Sequence, residues 1–189
     1  MSQVDDSLLL WHVARQKLTS MRFRLQPATT EMAPALAELH TAVAGHLTRQ
    51  FGVGPWSSKT SDKGVLLAMR TSRVFVAREG SSIVGTLRLT TKKSWAIDTS
   101  YFTACANPVY LVAMAIIPAR QRQGLGRKCL EAAKDLARAW PANAIRLDAY
   151  DALAGGGPFY ARCGFAEVGR TTYRNTPLVY YELLLGPPK

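Results

Sequence analysis

Pro118-Ala119-Arg120-Gln121-Arg122-Gln123-Gly124-Leu125-Gly126-Arg127-Lys128 joins a wholly apolar segment to a strongly periodic one. Upstream, Val109-Tyr110-Leu111-Val112-Ala113-Met114-Ala115-Ile116-Ile117 is a continuous apolar run with β-branched residues, the pattern of a central strand covered on both faces. Downstream, Leu125, Cys129, Ala133, Leu136 and Trp140 recur at helical spacing, with charged residues largely between them, until Pro141 ends the pattern. Two glycines therefore stand where a strand hands over to a helix. The first helical turn leaves N–H groups without intrahelical partners, and the helix dipole adds partial positive charge there. Glycine lets an anion approach the main chain. Arg120, Arg122, Arg127 and Lys128 add full charges, so the stretch reads as a phosphate cradle. The plainer reading of Gly-x-Gly alone is a tight turn that lets the helix pack closely.

Rival phosphate loops fit less well. The Walker pattern ends in Gly-Lys-Ser/Thr and the dinucleotide fingerprint requires Gly-x-Gly-x-x-Gly, and neither occurs here. The 189 residues suit one domain with a sizeable core. No apolar run approaches the roughly 18–20 residues of a membrane span. Leu8-Leu9-Leu10-Trp11 follows Asp5 and Asp6 rather than a basic region, which makes a poor signal peptide and points to a cytoplasmic location. Cys105, Cys129 and Cys163 are odd in number and widely spaced, which suggests neither a disulfide framework nor a metal site. Cys129 falls on the apolar helix face. The net charge of +11 suits a polyanionic ligand, an acidic acceptor or RNA, without deciding among them. The basic residues are scattered, and no aromatic RNA-binding signature accompanies them.

Residues 1–20 read as an N-terminal extension, with a short amphipathic helix over 7–18, and residues 21–189 as the domain. Residues 22–25 open the first strand. Thr29 or Thr30 suits the cap of a helix bearing Met32, Leu36, Leu39, Val43 and Leu47, with His40 and His46 on or beside it. Gly52 to Trp56 makes a break before a second helix over 62–70, and Trp56 suits either packing or an acceptor pocket. Residues 73–79 and 82–91 form a hairpin, with Gly85 marking a bulge or a close contact. Residues 92–108 lack periodicity and fit an acceptor loop or a long hairpin end. Ile145, Leu147 and Ala149 alternate with Arg146, Asp148 and Tyr150, giving a strand with one polar face. Pro158 suits the first turn of a short helix and Gly164 its end. The tail reads as a hairpin of strands over 171–175 and 179–185, flanking Pro177.

Gln121-Arg122-Gln123-Gly124-Leu125-Gly126 resembles the Gln/Arg-x-x-Gly-x-Gly/Ala motif with which GNAT superfamily N-acetyltransferases bind the pyrophosphate of acetyl-CoA. Phe159-Tyr160-Ala161-Arg162-Cys163-Gly164-Phe165 resembles that family's aromatic-Tyr-x-x-x-Gly-Phe ending. The resemblance implies an α/β GNAT fold, a mixed and mostly antiparallel central sheet flanked by helices, with fourth and fifth strands splayed apart. It implies main-chain hydrogen bonds to pantetheine from Met114, Ala115 and Ile116. Gln121, Arg122, Gln123, Gly124, Leu125, Gly126 and Arg127 would hold the pyrophosphate, and Tyr160 matches the usual proton donor. The family's frequent asparagine after the fifth strand is missing from residues 151–157.

The activity so implied is acetyl-CoA-dependent transfer to a primary amine, without a metal or covalent enzyme intermediate. The acceptor would be a small molecule or a peptide. An amine of pKa about 10.4 is mostly protonated at neutral pH and needs a base. The fourth strand carries no carboxylate, so Asp148 on the polar face of the fifth is the candidate. It equally suits a salt bridge with Arg146, and Asp151 is the next choice. The alternative is a non-catalytic module of the same fold that binds acyl-CoA or RNA. A homodimer, common among such enzymes, has no visible signal in the sequence.

Overall fold

A seven-stranded sheet runs through the computed structural model, which describes residues 23–186. The expected extension, its short helix and the start of the first strand at Arg22 lie outside the described residues. Strands β1 (Phe23–Pro27), β2 (Arg73–Glu79), β3 (Ser82–Thr90), β4 (Pro108–Ile116), β5 (Ala144–Tyr150), β6 (Ala166–Tyr173) and β7 (Thr176–Leu184) adopt the order β1-β2-β3-β4-β5-β7-β6. Every neighbouring pair is antiparallel except β4 and β5. Helices α1 (Ala33–Phe51) and α2 (Asp62–Thr71) cover one face, packing Leu36, Ala37 and Val65 against Val74 and Val76. Helix α3 (Leu125–Ala139) covers the other, where Leu125, Cys129, Leu130 and Ala133 meet Phe75, Leu87, Leu111, Ile145 and Leu147. A short α4 (Gly157–Arg162) follows β5.

The periodicities translate directly into these layers. Ile145, Leu147 and Ala149 enter the α3-side core, whereas Arg146, Asp148 and Tyr150 point to the opposite face. The stripe on α1 divides: Leu36 and Leu39 are buried, while Val43 and Leu47 line a cleft. Neither Thr29 nor Thr30 caps α1. The chain first makes a 3-10 turn over Thr30–Met32, and the turn's backbone continues into the helix without a side-chain cap. Ser61 does cap α2, its Oγ accepting from the Gly64 amide at 3.2 Å.

The terminal hairpin is longer than the sequence implied. Strand β6 begins at Ala166, the turn falls on Arg174 and Asn175, both at positive φ, and Pro177 lies inside β7 opposite Thr172. Gly85 serves both roles foreseen for it. The β2–β3 register slips beside it, and a Cβ there would lie 2.6 Å from Ile116 Cδ1.

Residues 91–107 fold onto the α1 side of the sheet around Ile97 and Phe102, packed with Tyr110 and Tyr180. A buried ion pair fastens this loop. Arg146 Nε donates to Glu182 Oε1 at 2.9 Å, its Nη2 donates to the Thr103 carbonyl, and the Thr103 amide donates to Glu182 Oε2 at 3.2 Å. Arg146 thus bonds across to β7 rather than to Asp148. Arg146→Met should leave Glu182 buried without its cation, costing about 3–5 kcal/mol in urea-induced unfolding. Arg146→Met with Glu182→Leu should cost clearly less than Arg146→Met alone.

Candidate active site

Strands β4 and β5 share only three register pairs, Pro108↔Ala144, Val109↔Ile145 and Tyr110↔Arg146, and then separate. Beyond Tyr110 the β5-facing main chain of β4 has no strand partner and borders a cleft of about 930 Å³. A bulge bends β4 at this point: Ala113 has φ 51, and the register with β3 slips by one residue between Thr86 and Arg88. Met114, Ala115 and Ile116 all line the cleft.

The glycine-rich turn closes one end. Arg122 and Gly124 both lie in the left-handed region, φ 58 and φ 80, so the chain doubles back before α3 starts. Among the described residues the amides of Gly124, Leu125, Gly126 and Arg127 donate to no protein acceptor. Gln121 Nε2 pins the turn to the end of β4 by donating to the Ile116 carbonyl at 3.0 Å. Gly126 answers to packing as well as to access, since a Cβ there would lie 3.0 Å from Phe159 Cζ. The plainer reading, a glycine that lets the helix pack closely, therefore applies at Gly126.

Not every cradle residue faces the cleft. Gln121, Arg122, Gly124, Gly126 and Arg127 line it, whereas Leu125 is a core residue beneath α3 and Gln123 is exposed. Gln123 instead accepts from Arg120 Nε at 2.8 Å and donates to the Ala119 carbonyl at 3.1 Å. Arg120 also pairs with Glu79, so its charge is already matched. The positive charge presented to the cleft comes from Arg122, Arg127 and Arg162.

Tyr160 stands on α4 and lines the cleft with Phe159, its ring edge-on to Phe159 and Phe165 at 5.3 and 5.7 Å. Burial raises its pKa strongly, with the Asp148 carboxylate adding to the rise, so it remains a phenol throughout the neutral range. Asp148 borders the same cleft from β5. Burial raises its pKa, opposed by hydrogen bonding from its own backbone. Tyr150 and Tyr180 also feel its charge. Asp151 is excluded from this group, because Arg170 Nη1 holds it at 2.8 Å on the exposed side.

The structure adds Val43, Leu47, Tyr150 and Phe159 to the cleft wall. Trp56 packs edge-on to Tyr150 at 5.9 Å, its Nε1 donating to the Gly52 carbonyl. Cys163 lines the cleft too, whereas burial pushes the core thiol of Cys129 up to about 12. No group of metal-ligating side chains occurs among the described residues, and no described helix is long and apolar enough to cross a membrane.

Residues 40–165 match the profile of the acetyltransferase (GNAT) family. The chain belongs to that family. Membership makes this GNAT protein an acyltransferase with acetyl-CoA as co-substrate. Its fold is shared with YncA of Salmonella typhimurium, solved with its cofactor acetyl-CoA: TM-score 0.62, 18% identity, 86% of this chain and 94% of that one covered. PaiA N-acetyltransferase of Thermoplasma acidophilum, solved with coenzyme A, superposes at TM-score 0.66 and 15% identity, covering 86% and 100%. The ribosomal-protein-alanine N-acetyltransferase of Brucella melitensis gives 0.65 at 14% identity, covering 86% and 99%.

The raised Asp148 pKa carries a stability consequence for this GNAT domain. The folded protein holds the carboxyl proton to higher pH than the unfolded chain, so stability is lost as pH rises from the ordinary 3.8 through the raised value. Asp148→Asn should therefore melt higher than the wild type at pH 7, with the difference vanishing well below pH 3.8, as read by thermal unfolding across pH.

Proposed function

We propose that the protein transfers the acetyl group of acetyl-CoA directly to the primary amine of a small molecule or peptide. The observation that carries this reading is one splayed cleft bordered at its end by unpartnered amides and along its length by Tyr160 and Asp148. The residues fit the co-substrate. Arg122, Gly124, Gly126 and Arg127 would hold the pyrophosphate, helped by the amide of Leu125, while Gln121 holds the turn in place and Gln123 braces it. Met114, Ala115 and Ile116 would bond the pantetheine arm through the main chain that β5 leaves unpaired.

The bound co-substrate supplies an acetyl thioester. Asp148 accepts a proton from the incoming amine, which is mostly protonated at neutral pH because its own pKa is about 10.4. Main-chain N–H groups along residues 114–116 stabilise the developing negative oxygen. Tyr160 gives its phenolic proton to the departing sulfur as the nitrogen–carbon bond forms and the carbon–sulfur bond breaks, and the second proton released by the nitrogen restores the phenol. Burial keeps the proton on the phenol at neutral pH, so the donor is in place when the sulfur departs, while the raised pKa makes it a weaker acid.

Tyr160→Phe should lower kcat about 10²–10⁴-fold with little change in the KM for acetyl-CoA, and Asp148→Asn should act over a similar range. Steady-state kinetics on a panel of amines checks both. Unchanged turnover by Tyr160→Phe would remove the tyrosine from the mechanism. Calorimetric titration should show coenzyme A binding that weakens at least tenfold in Gly124→Val, where a β-branched residue is forced to φ 80.

A further inference from the structure

A second charged group lies along the strand row that leads to Asp148. Arg88 of β3 is the register partner of Val74 on one side and Val112 on the other. Two residues beyond the last β4–β5 pair, Tyr110↔Arg146, Val112 stands level with Asp148, which in turn pairs with Tyr180. Arg88, Val112 and Asp148 thus form one row across the sheet, on the face that α1 covers. At about 4.8 Å per strand the two charged residues are separated by about 10 Å of main chain, more where the sheet splays.

Arg88 is half-buried, and its Nε is completely buried without an acceptor. Among the described residues it makes neither an ion pair nor a hydrogen bond. Of the other half-buried or buried arginines of the sheet, Arg146 is matched by Glu182, and Arg78, whose Nε also lacks an acceptor, donates through Nη1 to the Ser81 carbonyl. His40 feels the Arg88 charge, its pKa lowered by burial and by that charge, and an imidazole offers no anion. His40 stands one helical turn before Val43, and Val43, Leu47 and Val112 all line the cleft. A desolvated guanidinium without a counter-charge is costly, and a ligand carboxylate removes that cost. Guanidinium also suits a carboxylate in shape, because its planar fork accepts both oxygens.

We infer that Arg88 receives a carboxylate of the acceptor, so that the amine acetylated at Asp148 belongs to an amino acid or a comparably short amino-carboxylate. This inference rests on the amine-transfer reading above and specifies its substrate class. An ammonium at one end and a carboxylate at the other match the two charges that the row holds apart. The net charge of +11 favours approach of an acceptor with anionic character.

The test compares kcat/KM within matched pairs: L-phenylalanine against phenethylamine, L-methionine against 3-(methylthio)propylamine, and glycylglycine against glycylglycinamide. The wild type should prefer the carboxylate-bearing member at least tenfold in one or more pairs. Arg88→Met should reduce that preference below threefold, through KM for the carboxylate-bearing member, and Arg88→Lys should retain part of it. Coenzyme A titrated into each variant should bind as in the wild type, which separates a lost acceptor contact from a lost fold. Turnover of amines with no preference for the carboxylate, or equal losses for both members in Arg88→Met, would overturn the inference alone. Acetylation of no amine by the wild type would remove the amine-transfer reading and the inference with it.

Discussion

The parting of β4 from β5 is the constraint on which the rest of the structure depends. Two parallel strands ordinarily continue their hydrogen bonds to their ends, and here they stop after three pairs. The bulge at Ala113 turns β4 aside, and β5 is held elsewhere by seven register pairs with β7. Backbone groups that would otherwise be spent inside the sheet are left for a ligand. The gap is also what lets Tyr160 and Asp148, from elements on either side of Gly155 to Gly157, border one space.

Charge on the two faces of β5 is managed differently. The apolar face is sealed under α3 and carries no ionisable side chain from this strand apart from what the core excludes. On the other face Arg146 is fully used by Glu182, Thr103 and the Phe102 ring, which makes it a fastening for the 91–107 loop. Asp148, two residues on, has only weak support against its desolvation, and Arg88 has none among the described residues. Matched charges hold the fold; of the unmatched ones, Asp148 borders the cleft and Arg88 lies in the strand row beside it. Buried charge of the second kind lowers stability and is retained where chemistry or recognition uses it.

Much of the architecture was legible because it rests on local pattern. The period-two alternation over 145–150, the helical stripe from Leu125 to Trp140 and the apolar run over 109–117 each name an element and its buried side. The two motifs placed Tyr160 and the glycine-rich turn on the correct elements. Local pattern did not show that Gln123 braces the turn from outside, or that Arg120 is matched by Glu79, 41 positions earlier. Nor did it show that β6 begins at Ala166, since a half-exposed edge strand has no clear alternation to read.

The sequence by itself determined the layered α/β plan, the position of the glycine-rich turn between β4 and α3, and the family, because these follow from periodicity and from glycines at fixed spacing. Tertiary structure decided which charges are free. Whether Asp148 pairs with Arg146 depends on β7 supplying Glu182 across a strand pairing 36 residues distant, and the isolation of Arg88 depends on α1 closing over it. Pairing of charges is a matter of distance in space and of desolvation, and neither quantity is written in the spacing of residues along a chain.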